Sequence, residues 1–481
     1  MTAYRDREPS DGAADIAGES LSDAATTGVD MAAHVTMDRA HLPHGRPGLA
    51  LAAGRRFVAR RMPALGSAFL LGLRFIQARL ISVWGLIIAA ALCPPFVFAA
   101  FAVFSAAVNF VSIASLMRLE AVFFQNSDRA RLGLAFRLAC AVGVGFMAVI
   151  TLALTGLVLT GWVAPAVAFF FLVSLAARSI LRLLWSEATA EGDFRAIGNS
   201  NVVQAVVQPA IMLVLIAIFG PKALTLFMAD ALGHVLAALY LLRRRQDSVA
   251  ELIQPALWSW RSLTEAALRW RDAPRALLPS ALLAYGFAIA PLLALPYASN
   301  TVLAAQVALS MRLLDMPSQM FGTVSIPLVL NRLRAYAGPR RRFWARIMAL
   351  GLIAGATVLF SVIAVASLVA DHWLMGTQWQ DLGEVVALLA AFYIGIAVLG
   401  PLQEVATLSR QPFWQVAINA VALVAIVGAM AWFRALSPEL LLTIGAISIL
   451  RTLTHTAFIW LHLDDAAEAP THGLAASGAT R

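Results

Sequence analysis

Long apolar runs separated by short polar segments make up most of the chain. The hydrocarbon core of a bilayer is ~30 Å thick, so ~20 consecutive apolar residues can span it as a helix. The pattern predicts twelve such helices, at about 71–93, 96–117, 138–160, 164–183, 202–219, 223–242, 277–297, 302–330, 347–369, 384–408, 414–433 and 438–460. We therefore expect an all-α polytopic membrane protein.

The longest polar segment between two runs, 243–276, follows the sixth predicted helix. It interleaves Trp258, Trp260 and Trp270 with arginines, a pattern typical of an amphipathic helix at a membrane surface. We expect two six-helix lobes around a central cavity. The predicted divisions are a disordered N-terminal tail at 1–55, an N-terminal lobe at 56–245, a cytoplasmic linker at 246–276, a C-terminal lobe at 277–463 and a C-terminal tail at 464–481.

Basic residues are concentrated in alternate loops. Arg178 and Arg182, at the end of the fourth run, are counted with the loop that follows it. On this count, twenty-one Lys or Arg side chains lie in one set of loops and two, Lys222 and Arg434, lie in the other. Such a bias places the basic loops on the cytoplasmic side. We therefore expect both termini in the cytoplasm of a bacterial cell and the protein in its inner membrane. The acidic first 48 residues carry no signal-peptide pattern.

Composition excludes a soluble enzyme: 60% of the residues are hydrophobic, 13% are charged, and the mean hydropathy is +0.78. The net charge of +9 follows from the basic loops, so we expect membrane lipid and no nucleic acid as a partner. No catalytic motif, metal-ligand spacing or cofactor motif is present, which predicts a transporter rather than an enzyme. His455, His462, Asp464 and Asp465 are interpreted as part of a solvated C-terminal segment.

Charged residues within the apolar runs are the candidate functional residues, because a charge in mid-bilayer needs a partner or a wet cavity. Arg312 lies about ten residues, or ~15 Å, into its run. Its guanidinium is suited to bind phosphate oxygens through two parallel hydrogen bonds, or alternatively to pair with Asp315. Asp230 and His234, spaced i and i+4, could carry a coupling proton together with Asp315. Equally, they could form an interhelical contact, with Arg312 as the partner.

The other candidate residues lie at the start of the first run and along the fifth and eighth. Arg74 and Arg79 could guide an anionic lipid head group into the protein, or simply extend to the membrane surface. Amide side chains can form hydrogen bonds with sugar hydroxyls or hold neighbouring helices together. The candidate amides are Gln204, Gln208 and Gln306. Arg118 and Glu120 are expected to form a local ion pair.

Four segments resemble motifs of the bacterial Wzx-like polysaccharide flippases, within the multidrug/oligosaccharidyl-lipid/polysaccharide exporter superfamily. They are 115–124 (SLMRLEAVFF), 190–197 (AEGDFRAI), 309–317 (LSMRLLDMP) and 376–383 (GTQWQDLG). The family turn after the first helix is replaced by Cys93-Pro94-Pro95, and Ser310-Met311 stands where an Asn usually precedes the arginine at 312.

The resemblance implies transport of a polyprenyl-diphosphate-linked oligosaccharide by alternating access, for surface polysaccharide or exopolysaccharide synthesis. Its partners would be the lipid-linked oligosaccharide and, by extension, a polysaccharide polymerase and export proteins. A cation- or proton-coupled multidrug antiporter of the same superfamily is the alternative. A membrane glycosyltransferase or polymerase is disfavoured because the predicted outer loops are short.

Overall fold

The fold is helical throughout the part of the chain that can be described. The computed structural model describes residues 77, 80–82, 84–85, 87–125, 129–191, 193–271, 273–334, 338–406 and 413–462, and no β-strand occurs in these ranges. The main helices are α1 Leu80–Leu92, α2 Pro95–Ala114, α3 Arg129–Leu159, α4 Pro165–Ala190, α5 Phe194–Phe219, α6 Ala223–Arg244, α7 Leu278–Ala288, α8 Thr301–Arg334, α9 Gly338–Leu374, α10 Leu382–Ala406, α11 Phe413–Phe433 and α12 Pro438–His462.

Nine of these described helices are long and apolar enough to cross a membrane; α1, α7 and α8 occupy the other three predicted spans. The expected all-α polytopic membrane fold is thereby confirmed. Several helices are longer than their apolar runs. α3 begins at Arg129 rather than 138, and α9 covers Gly338–Leu374 rather than 347–369, because the flanking arginines are good helix formers that extend each helix beyond its apolar part.

Proline, glycine and a capping carboxylate set several of the helix ends. Pro95 and Pro165 stand at the first positions of α2 and α4, where a missing N–H costs nothing. The Asp193 side chain accepts a hydrogen bond from the Ala196 N–H at the start of α5. Gly220, with φ 80°, ends α5 in a backbone conformation that favours glycine.

The helices pack into two bundles. In the first, α4 packs on α2, α3 and α6, and α5 packs on α6. In the second, α10 packs on α8, α9 and α12, and α11 packs on α7 and α12. α2 also packs on α7 and α8 and so joins the two bundles. We call them the N bundle (α1–α6) and the C bundle (α7–α12).

The linker between the bundles contains two short helices, Gln246–Leu252 and Trp260–Arg269, followed by a π-helical turn, Ala273–Leu277. We call the membrane face where it lies the linker side and the opposite face the far side. Arg245, directly after α6, forms ion pairs with Glu187 and Glu191 of α4 and the following turn. The hydrogen bonds that it donates to Glu187 and, with a smaller effect, to Glu191 raise the pKa of Arg245. Ion pairs therefore hold the start of the linker against the end of α4.

The linker packs on the N bundle along its length. Leu263 and Trp270 pack against the apolar cluster of this bundle, and Ala266 and Ala273 are part of it. The buried Arg137 of α3 donates from Nη1 to the Leu252 carbonyl over 2.9 Å. The sequence pattern assigns Arg137 to a loop. That assignment is wrong, because α3 starts eight residues earlier and brings this side chain under the linker.

A tryptophan links the two bundles on the far side. Trp379, in the turn before α10, is buried, and its indole N–H donates to the Ala90 carbonyl of α1 over 3.1 Å. Its ring lies edge-on to Phe98 of α2, with centroids 6.0 Å apart. The turn itself is held by Asp371, which accepts from the N–H of Gly383 over 2.6 Å. The segment 376–383 therefore connects the two bundles on the far side.

Candidate functional site

A polar network in the N bundle is built around an ion pair between α4 and α6. Nη2 of Arg178 lies 2.9 Å from each carboxylate oxygen of Asp230. Ser174, one turn before Arg178, donates to Oδ2 of Asp230 over 2.7 Å, and the guanidinium also donates to Ser105 of α2 over 3.2 Å. The Asp230 side chain is 2% exposed and that of Arg178 is 13% exposed. Each charge is therefore compensated by the other inside the bundle.

Two glutamines of α5 complete this network. Gln208 donates to Oδ1 of Asp230 over 3.5 Å, and the amide of Gln204 lies 2.9 Å from Nε2 of His234. Gly233 makes this approach possible, because a Cβ there would lie 2.7 Å from the Gln208 Cβ. Nδ1 of His234 lies 2.8 Å from the Asp230 carbonyl oxygen. A carbonyl only accepts, so Nδ1 carries the proton, and in the neutral ring Nε2 accepts from the Gln204 amide.

These contacts correct two expectations. The sequence pattern places Arg178 near the cytoplasmic end of a helix that stops at 183, but α4 continues to Ala190 and places it thirteen residues, or ~20 Å, into the helix. The partner of Asp230 is this arginine rather than Arg312. The sequence offers one signal for it: no proline or glycine interrupts 166–190. With Arg178 and Arg182 moved into the membrane, nineteen basic side chains remain in the basic loops, so the charge bias persists.

Arg312 of α8 lies half-buried and makes no hydrogen bond or ion pair with a described residue, Asp315 included. Asp315 instead accepts from the Gln319 amide, one turn along the helix, over 2.6 Å. Arg312 lies on α8, which packs on α2 of the N bundle and on α9 and α10 of the C bundle. It therefore belongs to a helix that contacts both bundles.

Two tyrosines shape the surroundings of Arg312. Tyr393 donates its hydroxyl to the Met311 carbonyl over 2.8 Å, next to Arg312 in the chain. The Tyr285 ring lies 6.2 Å from the ring of Phe110 on α2, measured between centroids, which is a contact across the two bundles. Sequence reasoning did not single out either tyrosine, because a tyrosine within an apolar run resembles any other core aromatic residue.

Further charged groups lie at the end of α2 towards the linker side. Nη1 of Arg118 lies 3.5 Å from Oε1 of Glu120, and both side chains are buried. Arg182 of α4 donates to the Ser112 hydroxyl over 3.2 Å, within electrostatic reach of Glu120. Arg178 and Arg182 thus follow one another at an interval of one turn along α4, towards the linker side.

The remaining predicted residues are distributed as follows. Gln306 is buried and donates to the Gln380 carbonyl in the turn that holds Trp379, so it is engaged away from Arg312. Arg74 and Arg79 lie outside the described residues. His455 is fully buried rather than solvated, and its Nε2 lies 3.3 Å from Oδ1 of Asn419. Its assignment to a solvated segment is wrong because α12 carries it into the C bundle.

The described fold is that of a multi-pass membrane protein with two helical bundles, each of which encloses buried polar side chains. The sequence matches no protein-family model and no curated protein. The structure, in contrast, is similar to solved MATE transporters of the MOP superfamily.

Two of these similarities have a TM-score above 0.5. An inward-facing multidrug-resistance MATE family transporter of the MOP superfamily gives a TM-score of 0.54 at 12% identity, over 80% of this chain and 93% of that chain. A eukaryotic MATE transporter gives 0.51 at 16% identity, over 84% of this chain and 95% of that chain. The chain therefore has the fold of the MATE transporters.

Proposed function

We propose that the protein is a transporter that exports an anionic amphipathic substrate, of the polyprenyl-diphosphate-linked oligosaccharide class, by alternating access between its two bundles. The observation that carries the proposal is Arg312, a half-buried guanidinium without a partner among the described residues. A permanent cation at this depth is costly unless an anion or water compensates it, and a diphosphate offers the acceptor oxygens that a guanidinium binds in a fork.

The state of the carboxylates supports an anionic rather than a cationic substrate. A carrier of organic cations needs a buried carboxylate that is free to exchange its cation. Asp230 is already neutralised by Arg178 and Ser174, and Asp315 is engaged by Gln319. The described charges around the interior are thus predominantly positive. The expected energy source would be an ion or proton gradient, with Asp230, His234 and Asp315 as the candidate coupling residues.

The second candidate is a cation- or proton-coupled multidrug antiporter. The fold comparisons favour it at least as well, because one of the similar structures is named as a multidrug-resistance transporter. On this alternative the Arg178–Asp230 pair would open during transport, and the released carboxylate would bind the cation or the proton.

Reconstitution in proteoliposomes distinguishes the two candidates. Movement of a fluorescent polyprenyl-diphosphate glycan and of a lipophilic cationic dye would be measured with and without a pH gradient. We expect movement of the glycolipid, and a rise in its KM of roughly 10- to 100-fold in Arg312→Gln, the equivalent of one charge-assisted hydrogen bond of about 1.5–3 kcal/mol.

Two variants complete the experiment. Arg312→Lys keeps the positive charge but loses the bidentate hydrogen bonding of the guanidinium, so its KM should lie between those of the wild type and Arg312→Gln. Arg340→Gln, which removes an exposed arginine at the start of α9, should match the wild type. Gradient-driven dye transport without glycolipid movement would refute the proposal in favour of the antiporter.

A further inference from the structure

The C bundle contains a second buried guanidinium, Arg451 of α12. The residue is 4% exposed and lies thirteen residues, or ~20 Å, along a helix that crosses the membrane. Arginine stays protonated in proteins, so its positive charge must be compensated within the bundle.

The contacts of Arg451 leave this charge without a negative partner. Its Nε donates to Oδ1 of Asn419 on α11 over 2.8 Å, and its Cζ lies 3.9 Å from the centre of the Phe287 ring on α7. No described residue accepts a hydrogen bond from either Nη. An amide oxygen and an aromatic face attract a cation, but neither one carries the negative charge that Asp230 supplies to Arg178.

The described carboxylates near α12 lie too far along their helices to reach Arg451. Ser448 and Thr452 donate to the carbonyls of Phe392 and Gly395, which places Arg451 level with residue 394 of α10. The acidic side chains described on α9, α10 and α12 lie near the far side; they are Asp371, Glu384 and Glu439.

Unpaired hydrogen-bonding atoms surround the guanidinium. Oδ1 of Asn419 is shared by Arg451 and His455, while Nδ2 of Asn419 is buried without a partner. The indole Nε1 of Trp414, a donor, and Nδ1 of His455 are buried and unpaired as well, and these two rings lie 5.2 Å apart. Because Oδ1 of Asn419 only accepts, Nε2 of His455 carries the proton, and Nδ1 is the one unpaired acceptor in the neutral ring. The cluster therefore has more hydrogen-bond donors than acceptors, although buried polar groups are normally paired.

We propose that Arg451 and the Asn419 amide bind a small inorganic anion of the halide class inside the C bundle. An anion supplies the negative charge that Arg451 lacks and the hydrogen-bond acceptor that the unpaired N–H groups lack. A water molecule would supply only the acceptor. The aromatic rings of Phe287 and Phe392 stack with centroids 5.6 Å apart next to the guanidinium. Together with the 4% exposure of Arg451, they favour a halide over a larger oxyanion. The site is independent of the transported substrate.

Anion-dependent thermal stability tests this inference. The full-length protein in lipid nanodiscs would be unfolded by heat at constant ionic strength, while sodium gluconate is replaced stepwise by sodium chloride or sodium bromide. Ligand binding to the folded state raises the unfolding midpoint. We expect a saturable rise of about 2–4 °C with chloride and with bromide. Equal midpoints in gluconate and chloride would overturn the proposal, as would stabilisation by phosphate alone.

Variants separate a specific site from a general salt effect. Arg451→Gln should abolish the chloride-dependent rise. Arg137→Gln, which removes a buried arginine that already donates to the Leu252 carbonyl, should retain it. Chloride dependence that survives Arg451→Gln would contradict the assignment. Should Arg451→Gln fail to fold, bromide anomalous diffraction from the wild-type protein decides, because absence of a bromide peak beside Arg451 overturns the site.

Discussion

The ion pair between Arg178 and Asp230 predicts a specific non-additive pattern of stability. Asp230→Leu leaves the Arg178 guanidinium, which is 13% exposed, without its carboxylate inside the N bundle. Removal of one partner of a buried ion pair costs about 3–5 kcal/mol, because the other charge stays buried. At 1.4 kcal/mol for each factor of ten, the ratio of folded to unfolded protein should fall by roughly 100- to 4,000-fold.

The two single variants should differ in a definite direction. In Arg178→Met the remaining Asp230 carboxyl can take up a proton and become neutral, whereas a guanidinium cannot lose one. Arg178→Met should therefore destabilise the protein less than Asp230→Leu. The double variant carries no buried charge at this position, so it should be more stable than Asp230→Leu alone.

Equilibrium unfolding by sodium dodecyl sulfate in mixed micelles would measure the four proteins of this cycle. The exposed pair Arg261–Glu265, whose atoms lie 3.1 Å apart on the linker helix, is the matched control. Its coupling should be only about 0.3–0.5 kcal/mol. Additive single effects at Arg178 and Asp230 would refute the inference that the two charges compensate one another.

Two further predictions concern the segment 376–383. Gly383→Ala should destabilise the protein by about 1–3 kcal/mol, because the added Cβ would lie 2.2 Å from the Ser367 carbonyl oxygen. Thermal unfolding measures this loss. The control is Gly428→Ala, where no atom lies within 4 Å of the new Cβ. Trp379→Ala should make the buried thiol of Cys93 react with maleimide roughly tenfold faster, since the lost hydrogen bond and packing amount to about 1.4 kcal/mol of local opening.

The thiol experiment has its own control and a pH signature. It uses a Cys140→Ser background, because Cys140 is the other free cysteine. Burial raises the pKa of the Cys93 thiol, so its reactive thiolate forms at higher pH than that of a free cysteine. In Trp379→Ala the pH profile should move towards lower pH. An unchanged rate and profile would show that Trp379 does not cover this thiol.

The order of the helices followed from the sequence because each span must bury about twenty residues in lipid, whatever its neighbours are. Nine of the twelve predicted spans are described as helices long and apolar enough to cross a membrane. The ends were less accurate. Apolar runs stop where charge begins, but helices do not, and arginines extended α3 to Arg129 and α9 to Gly338. Hydrophobicity therefore predicted the membrane-crossing part of each helix and not its full length.

The candidate site was predictable only in part, because its pairs join different helices. Asp230 and His234 were found from their spacing on one helix. Arg178 was missed because its partner lies 52 residues away in the sequence. Arg451 was missed for a similar reason, since Asn419 and Phe287 come from two other helices. Periodicity relates residues within a helix and carries no information on which faces of different helices meet.

The linker has a mechanical consequence for the proposed alternating access. It packs on the N bundle as far as Leu277, the last residue before α7, so the long polar segment would move together with that bundle. The chain then passes into α7 through the five-residue π turn Ala273–Leu277. Rotation of the bundles would pivot where this turn meets α7, on the linker side. The far side lies one bilayer core, or ~30 Å, from this pivot. A rotation of about 10° would therefore separate the bundles by ~5 Å at the far side, next to Trp379.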